Sequence, residues 1–319
     1  MSNPLLSNTD LPQFSQIKPE HIVPAIEQLL TDARATVEKV LAENSIYTWD
    51  NLIAPIDAVE DKISRAWSPV SHMNSVTNND DLRDAYNECL PKLSEYSTEM
   101  GQHDALFKAY TSIAESDSYA SLETAQQKII QNSLRSFRLS GIALDDEEKA
   151  QYKDINLELS QLTSRYEENL LDATNDWSKL IKKKSGLAGL PESALQQAKQ
   201  TAELEGEKGW MLTLQFPSYL AVMTYADDRQ LRADMYKAFS TRASELGADT
   251  DWDNTQIMDS LIALRHKKAQ LLGFNNYAEL SLATKMADTP KQVTDFLEEL
   301  AEKSLPQAKQ DLTDLTAFT

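Results

Sequence analysis

The chain has 319 residues, enough for about two domains of roughly 100–200 residues and a sizeable core. Its 31 lysines and arginines face 50 aspartates and glutamates, and the net charge of −19 opposes contact with a phosphate backbone, which excludes nucleic acid as a partner. Only 8 glycines occur, far below the usual ~7%, so a turn-dense β fold is excluded and a mainly α protein is expected. The lone cysteine, Cys89, allows no intramolecular disulfide and fits a reducing, cytoplasmic setting. Residues 1–10 lack a basic n-region and an apolar h-region, and no run of about 18 apolar residues occurs, so neither a Sec-type signal nor a membrane partner is expected.

Pro19 suits a first helical turn, and Ile22, Ile26, Leu29, Ala33, Val37, Val40 and Leu41 follow at the spacing of one buried helical face. A second helix begins near Thr48 as N-cap, turns Leu52, Ile56, Val59 and Ile63 inward, and is expected to end at Ser68-Pro69. A third starts near Asp80 with Leu82, Tyr86, Leu90, Leu93 and Met100 inward, and Pro91 should kink or break it. The next carries Leu122, Ala125, Ile129 and Phe137 and stops near Gly141. These elements predict an all-helical N-terminal domain over 1–143.

The remainder, 144–319, opens on the clearest periodicity in the chain. Ile155, Leu159, Leu162, Tyr166, Leu170, Ala173, Trp177 and Leu180 predict one long helix over 145–181, closed by Lys182, Lys183 and Lys184 against its dipole. Trp210, Leu212, Leu214 and Phe216 alternate with polar neighbours and predict a small β element over 209–216. Helices return over 228–244 and 254–272, the latter with Ile257, Leu261, Leu264 and Leu271 inward and Gly273 as its stop, and a short helix follows over 277–286. In the last segment Thr289 caps, Pro290 takes the first turn, and Val293, Phe296, Leu297, Leu300, Leu312, Leu315 and Phe318 are apolar. No glycine, asparagine or basic last turn closes this pattern, so Thr319 reads as an artificial or premature end and the unclosed helix as a site of non-native self-association.

Chemistry is sparse. A zinc hydrolase needs converging imidazoles or carboxylates, most economically His at i and i+4, and His21, His72, His103 and His266 contain no such pair. Cys89 lies beside Leu90 and Pro91 on a predicted helix, where a small buried thiol packs. Ser15 and Lys18 form a Ser-x-x-Lys match without its companion motifs, and Gly186 and Gly189 lack the strand and third glycine of a phosphate cradle. The acidic pairs Asp145-Asp146, Glu147-Glu148, Glu167-Glu168 and Asp227-Asp228 are adjacent and do not face one another on a helix; they read as solvated faces or helix starts. No catalytic, cofactor-binding or metal residue is therefore expected in this chain.

Three stretches carry a family resemblance. One is 231–244 (LRADMYKAFSTRAS) with the strand and Pro217-Ser218-Tyr219 before it; another is 263–274 (ALRHKKAQLLGF), continuing through Asn276-Tyr277-Ala278 to 282–287. The third joins Asn3-Pro4-Leu5-Leu6, Phe14 and Pro19-Glu20-His21 with Ser68-Pro69-Val70-Ser71-His72. Together they resemble the thimet oligopeptidase family of zinc metallopeptidases. The resemblance implies the helical N-terminal half of a neurolysin-like fold: a cytoplasmic endopeptidase with a deep channel that admits short unfolded peptides. It places the HExxH helix and a third glutamate ligand in the later half of a longer polypeptide, so zinc belongs to the complete protein and this chain alone should be inactive. Arg232, Tyr236, Arg242, Arg265 and His266 then read as structural residues. A free-standing, non-catalytic helical peptide-binding or interaction protein on the same scaffold is the competing reading, and the coding sequence past residue 319 separates the two.

Overall fold

The structure, a computed structural model, describes residues 3–7, 9–247 and 250–318. It is 74% helical with one two-stranded sheet, the mainly α class expected. The chain divides into two compact units, Met1–Leu157 with Ala263–Thr319, and Glu158–Ile262.

In the first unit, helix α1 (Pro19–Glu43) starts at Pro19, with His21 Nδ1 accepting the Lys18 N–H at 3.2 Å. Its apolar face is buried throughout, at Ile22, Ile26, Leu29, Ala33, Val37 and Val40. Thr48 caps a π-helical turn (Trp49–Ile53) that leads into α2 (Ala54–Val76), and α3 (Asp80–Gly101) follows with Asn79 as its cap. A first core joins α1, α2 and α3 through residues such as Ile26, Ala66, Val70, Leu82 and Cys89. Trp67 and Tyr86 stack at 4.7 Å beside it.

The expected end of α2 is not found, and α3 is not broken. Helix α2 does not end at Ser68-Pro69, and α3 is one continuous helix through Pro91. A helical proline removes one backbone bond and costs about 3 kcal/mol in isolation. Pro69 is itself buried between Ala66 and Val70, both 0% exposed, and that packing outweighs the lost bond.

A second core forms where Val37 and Val40 meet Leu52, Ile53, Leu106, Tyr110, Ile130 and Phe137. Two of these stand on α4 (Asp104–Ala114), an element the sequence reading passed over, and two on α5 (Thr124–Leu139). Gly141, at φ 79°, follows α5 as expected, and the Ile142 N–H closes back on Phe137 O at 3.1 Å. Ile129, expected inward, is 44% exposed, whereas Ile130 is fully buried.

Helix α6 (Asp146–Asp176) begins with a reciprocal cap between Asp145 and Glu148 and spans 31 residues. It does not reach residue 181. Trp177 leaves it, and β1 (Ser178–Ile181) pairs antiparallel with β2 (Trp210–Thr213), Ser178 opposite Thr213 and Ile181 opposite Trp210. The three-and-four spacing of Trp177 and Leu180 is thus overridden by a strand partner thirty residues on. The lysines 182–184 are exposed between β1 and a 3-10 turn (Lys184–Leu187), so they do not close a helix dipole. Leu159, Leu162, Tyr166 and Leu170 are half-buried, while Glu168 and Asn169 are buried.

In the second unit α7 (Glu192–Leu204), β2, α8 (Phe216–Tyr225) and α9 (Arg229–Ser240) surround a third core containing Leu195, Leu212, Leu214, Val222, Leu231 and Met235. Phe216 opens α8 and does not extend the strand. Gly189 sits at φ 89°, and a Cβ there would lie 2.1 Å from Tyr225 O. That glycine serves close backbone packing and no phosphate cradle. Asn254, ahead of α10 (Thr255–Leu271), is buried and accepts from Asn169 Nδ2 at 2.9 Å while donating to Tyr166 O at 3.0 Å.

Returning to the first unit, Gly273 ends α10 at φ 81°, and α11 (Tyr277–Leu282) precedes α12 (Pro290–Phe318). Phe296, Leu297, Leu300, Leu305, Leu312, Leu315 and Phe318 on α12 are all exposed.

Replacing Ile130 with alanine should lower unfolding free energy by about 2–5 kcal/mol, and the same change at Ile129 by less than about 1 kcal/mol. Denaturant titration of both variants checks the order; equal losses would contradict the burial of α5 described above.

Candidate functional site

The residue types that carry hydrolytic chemistry are mostly engaged in local structure. His21 holds the start of α1, and His103 caps α4 with Nδ1 accepting the Leu106 N–H at 3.2 Å and Nε2 3.4 Å from Glu38. His72 stands edge-on to Phe14 with centroids 5.8 Å apart, and His266 is exposed on α10. Among the described residues no three His, Cys, Asp or Glu side chains gather in a way that could hold a metal. The described residues therefore do not fit a zinc centre.

Asp145 and Asp228 begin helices, the latter accepting the N–H groups of Gln230 at 2.8 Å and Leu231 at 3.2 Å. Arg232 donates to the carbonyls of Ala226 and Asp227. Arg242 lies 3.7 Å over the Phe239 ring and donates to Thr174 Oγ1 at 2.9 Å. Arg265 stands over Tyr277 at 5.4 Å, while Tyr236 is 58% exposed. Lys179 on β1 pairs with Asp234 on α9, and this bond, with a second from Gln230, holds the Asp234 carboxyl below the ordinary range.

Cys89 is 0% exposed within the first core. Burial pushes its thiol up to about 12, with Lys92 opposing the shift. A thiol held protonated is no nucleophile at neutral pH.

One concavity is lined mainly by residues that the sequence does not single out. It is a cavity of about 610 Å³ in the second unit, bounded by the end of α6, α7, β2 and α8, with Asp176, Gln197, Thr201, Glu205, Met211 and Gln215 on its wall. Sequence reading missed it because α7 and α8 were not recognised as elements. Without them Asp176 and Glu205 are two more acids in an acidic chain.

With the fold in place, comparison with known proteins defines the class. Residues 26–149 match the family model described as Neurolysin/Thimet oligopeptidase, N-terminal domain, and residues 222–319 match Peptidase family M3. The chain belongs to this family of peptidases. Oligopeptidase A of Haemophilus influenzae is 53% identical over 319 residues, and that of Escherichia coli 52%, each alignment taking in 100% of this chain and 47% of the relative. The organellar oligopeptidase A of Arabidopsis thaliana is 38% identical over 325 residues, covering 99% of this chain and 40% of the plant protein. The chain thus spans about half the length of the curated relatives it matches. No helix among the described residues is long and apolar enough to cross a membrane.

Because the Cys89 thiol ionises near 9 when unfolded and only near 12 when folded, stability should be unaffected by it below pH 9 and should fall as pH rises from 9 toward 12. Cys89→Ala should flatten part of that alkaline decline in denaturation curves. A thiol reagent should leave the native chain unmodified at pH 7.5 and label it fully once unfolded; rapid native labelling would contradict the packing role.

Proposed function

We propose that this chain is the N-terminal, channel-wall portion of a cytoplasmic zinc metalloendopeptidase that hydrolyses short unfolded peptides. Identity of 52–53% across the entire chain to two bacterial oligopeptidases A carries this reading. In it, residues 1–143 form the all-helical N-terminal domain and 144–319 the approach to the catalytic region. Zinc, its polarisation of the scissile carbonyl and the activation of water come from an HExxH-bearing half, since residues 1–319 contain no HExxH. The cytoplasmic setting is supported by the single cysteine, which is buried and free. On this reading the exposed apolar stripe of α12 is a packing surface for that other half, and alone it favours self-association.

The test is complementation. The 319-residue chain, dialysed and analysed for metal, should carry no stoichiometric zinc and should not cleave a fluorogenic short peptide. Joined to the remaining half of the Haemophilus relative, it should take up one zinc and cleave the peptide in a chelator-sensitive way. One zinc per chain in the isolated protein, or a joined protein that binds peptide without cleaving it, would overturn the reading, the second outcome in favour of a non-catalytic binding protein.

A further inference from the structure

Helix α12 presents a long apolar stripe to solvent. Phe296, Leu300, Leu312 and Phe318 are 63%, 53%, 64% and 89% exposed, and among the described residues none of this 29-residue helix is buried. A helix in water keeps its order chiefly by laying an apolar face against something, so a stripe of this size is one half of an interface. Spread along about 44 Å of helix, it offers on the order of 800 Å² per copy, the area that a stable association needs.

Charge on the polar sides decides the direction of a second helix. The first half of α12, 290–302, sets Lys291 against Asp295, Glu298, Glu299 and Glu302, whereas the second half, 303–318, balances Lys303 and Lys309 against Asp311 and Asp314. Parallel copies would place the two acidic halves side by side. Antiparallel copies place each acidic half against the neutral, lysine-bearing half of the other copy, and they also bring opposite ends of the helix dipoles together. Midway, Ala301, Ser304 and Ala308 share the face of Leu297 and Leu300 at three-and-four spacing, and such small residues let two helices approach closely. Asp311, at the edge of the stripe, accepts Gln307 Nε2 at 2.8 Å. An antiparallel pair has two-fold symmetry, so the contact closes at two copies.

We infer that in the isolated chain a second copy covers α12, the two helices running antiparallel about an axis near Ser304. The inference rests on the peptidase reading only for what displaces that copy: the remaining half of the peptidase competes for the same face. The isolated chain is then a dimer, and the joined protein a monomer.

Sedimentation velocity and cross-linking of the 319-residue chain test it. The unaltered chain should sediment as a dimer at micromolar concentration, and the double variant Leu300→Gln, Leu312→Gln should weaken the association at least about a hundredfold. Single cysteines introduced as Gln292→Cys, Ser304→Cys and Ala317→Cys are treated with a short bismaleimide, to which the buried Cys89 does not respond. Only the Ser304→Cys chain should be joined to its copy, because antiparallel helices crossing near Ser304 hold the two residues 292, or the two residues 317, about 36 Å apart or more. Links at all three positions would show parallel helices, a monomer at submillimolar concentration would show the stripe folded onto its own chain or left bare, and an unchanged dimer in the double variant would place the contact elsewhere; each overturns the inference. The cysteine variants keep the leucines of the stripe, so an unfolded double variant leaves them decisive. A monomeric isolated chain whose joined form takes up zinc and cleaves peptide would sink the second copy and spare the peptidase reading; a dimer whose joined form does neither would do the reverse.

Discussion

The first unit depends on a single continuous apolar face of α1. Its N-terminal half, at Ile22, Ile26 and Ala33, is built into the core shared with α2 and α3, and its C-terminal half, at Val37 and Val40, into the core shared with α4 and α5. Helix α2 also enters both, through Ile56 in the second and Ile63, Ala66 and Val70 in the first. The start of α1 is therefore a structural fixed point, and it is held by more than helix propensity: Pro19 pre-sets the first turn, the Lys18 N–H is taken by His21, and Asn3 Nδ2 donates to His21 O at 2.7 Å. A disturbance at Ile26 or Ala33 would reach both cores through one rigid rod, which is why so much of this unit follows from one amphipathic stretch.

The second unit has a different governing constraint. Its sheet is only four residues deep on each strand, too short to stand alone in water. It persists because Leu212 and Leu214 enter a core with Leu195 of α7 and Val222 of α8, and because Lys179 ties β1 to Asp234 of α9. Helices wrap a minimal ribbon.

Legibility from sequence tracks these two constraints. The face of α1, the caps at Thr48 and Asp228, the stops at Gly141 and Gly273 and the strand at Trp210 were readable because each is a local signal that its own neighbourhood obeys. Helix α4 escaped because eleven residues give barely three turns of periodicity, and its cap is a histidine, an unusual N-cap residue. Pro69 misled because its local cost is visible in sequence and the burial that offsets it is not. The end of α6 misled in the opposite sense: Trp177 and Leu180 continue its spacing faithfully, and only the distant partner Trp210–Thr213 turns that segment into a strand. The family resemblance was readable across the whole chain, yet it named no site residue, and the cavity at Asp176 and Glu205 needed elements that periodicity had not found.

Most of the histidines are engaged in local structure. An imidazole binds metal through a free lone pair on a neutral ring. In His21 and His103 the Nδ1 lone pair already accepts a backbone N–H at a helix start, so metal at that nitrogen would uncap α1 or α4. The other nitrogen of His103 faces Glu38, while His72 stands edge-on to Phe14 at the surface. A carboxylate could replace a missing imidazole, but the well-placed ones are taken as well: Asp145 and Asp228 cap helices, and Asp234 is bound to Lys179.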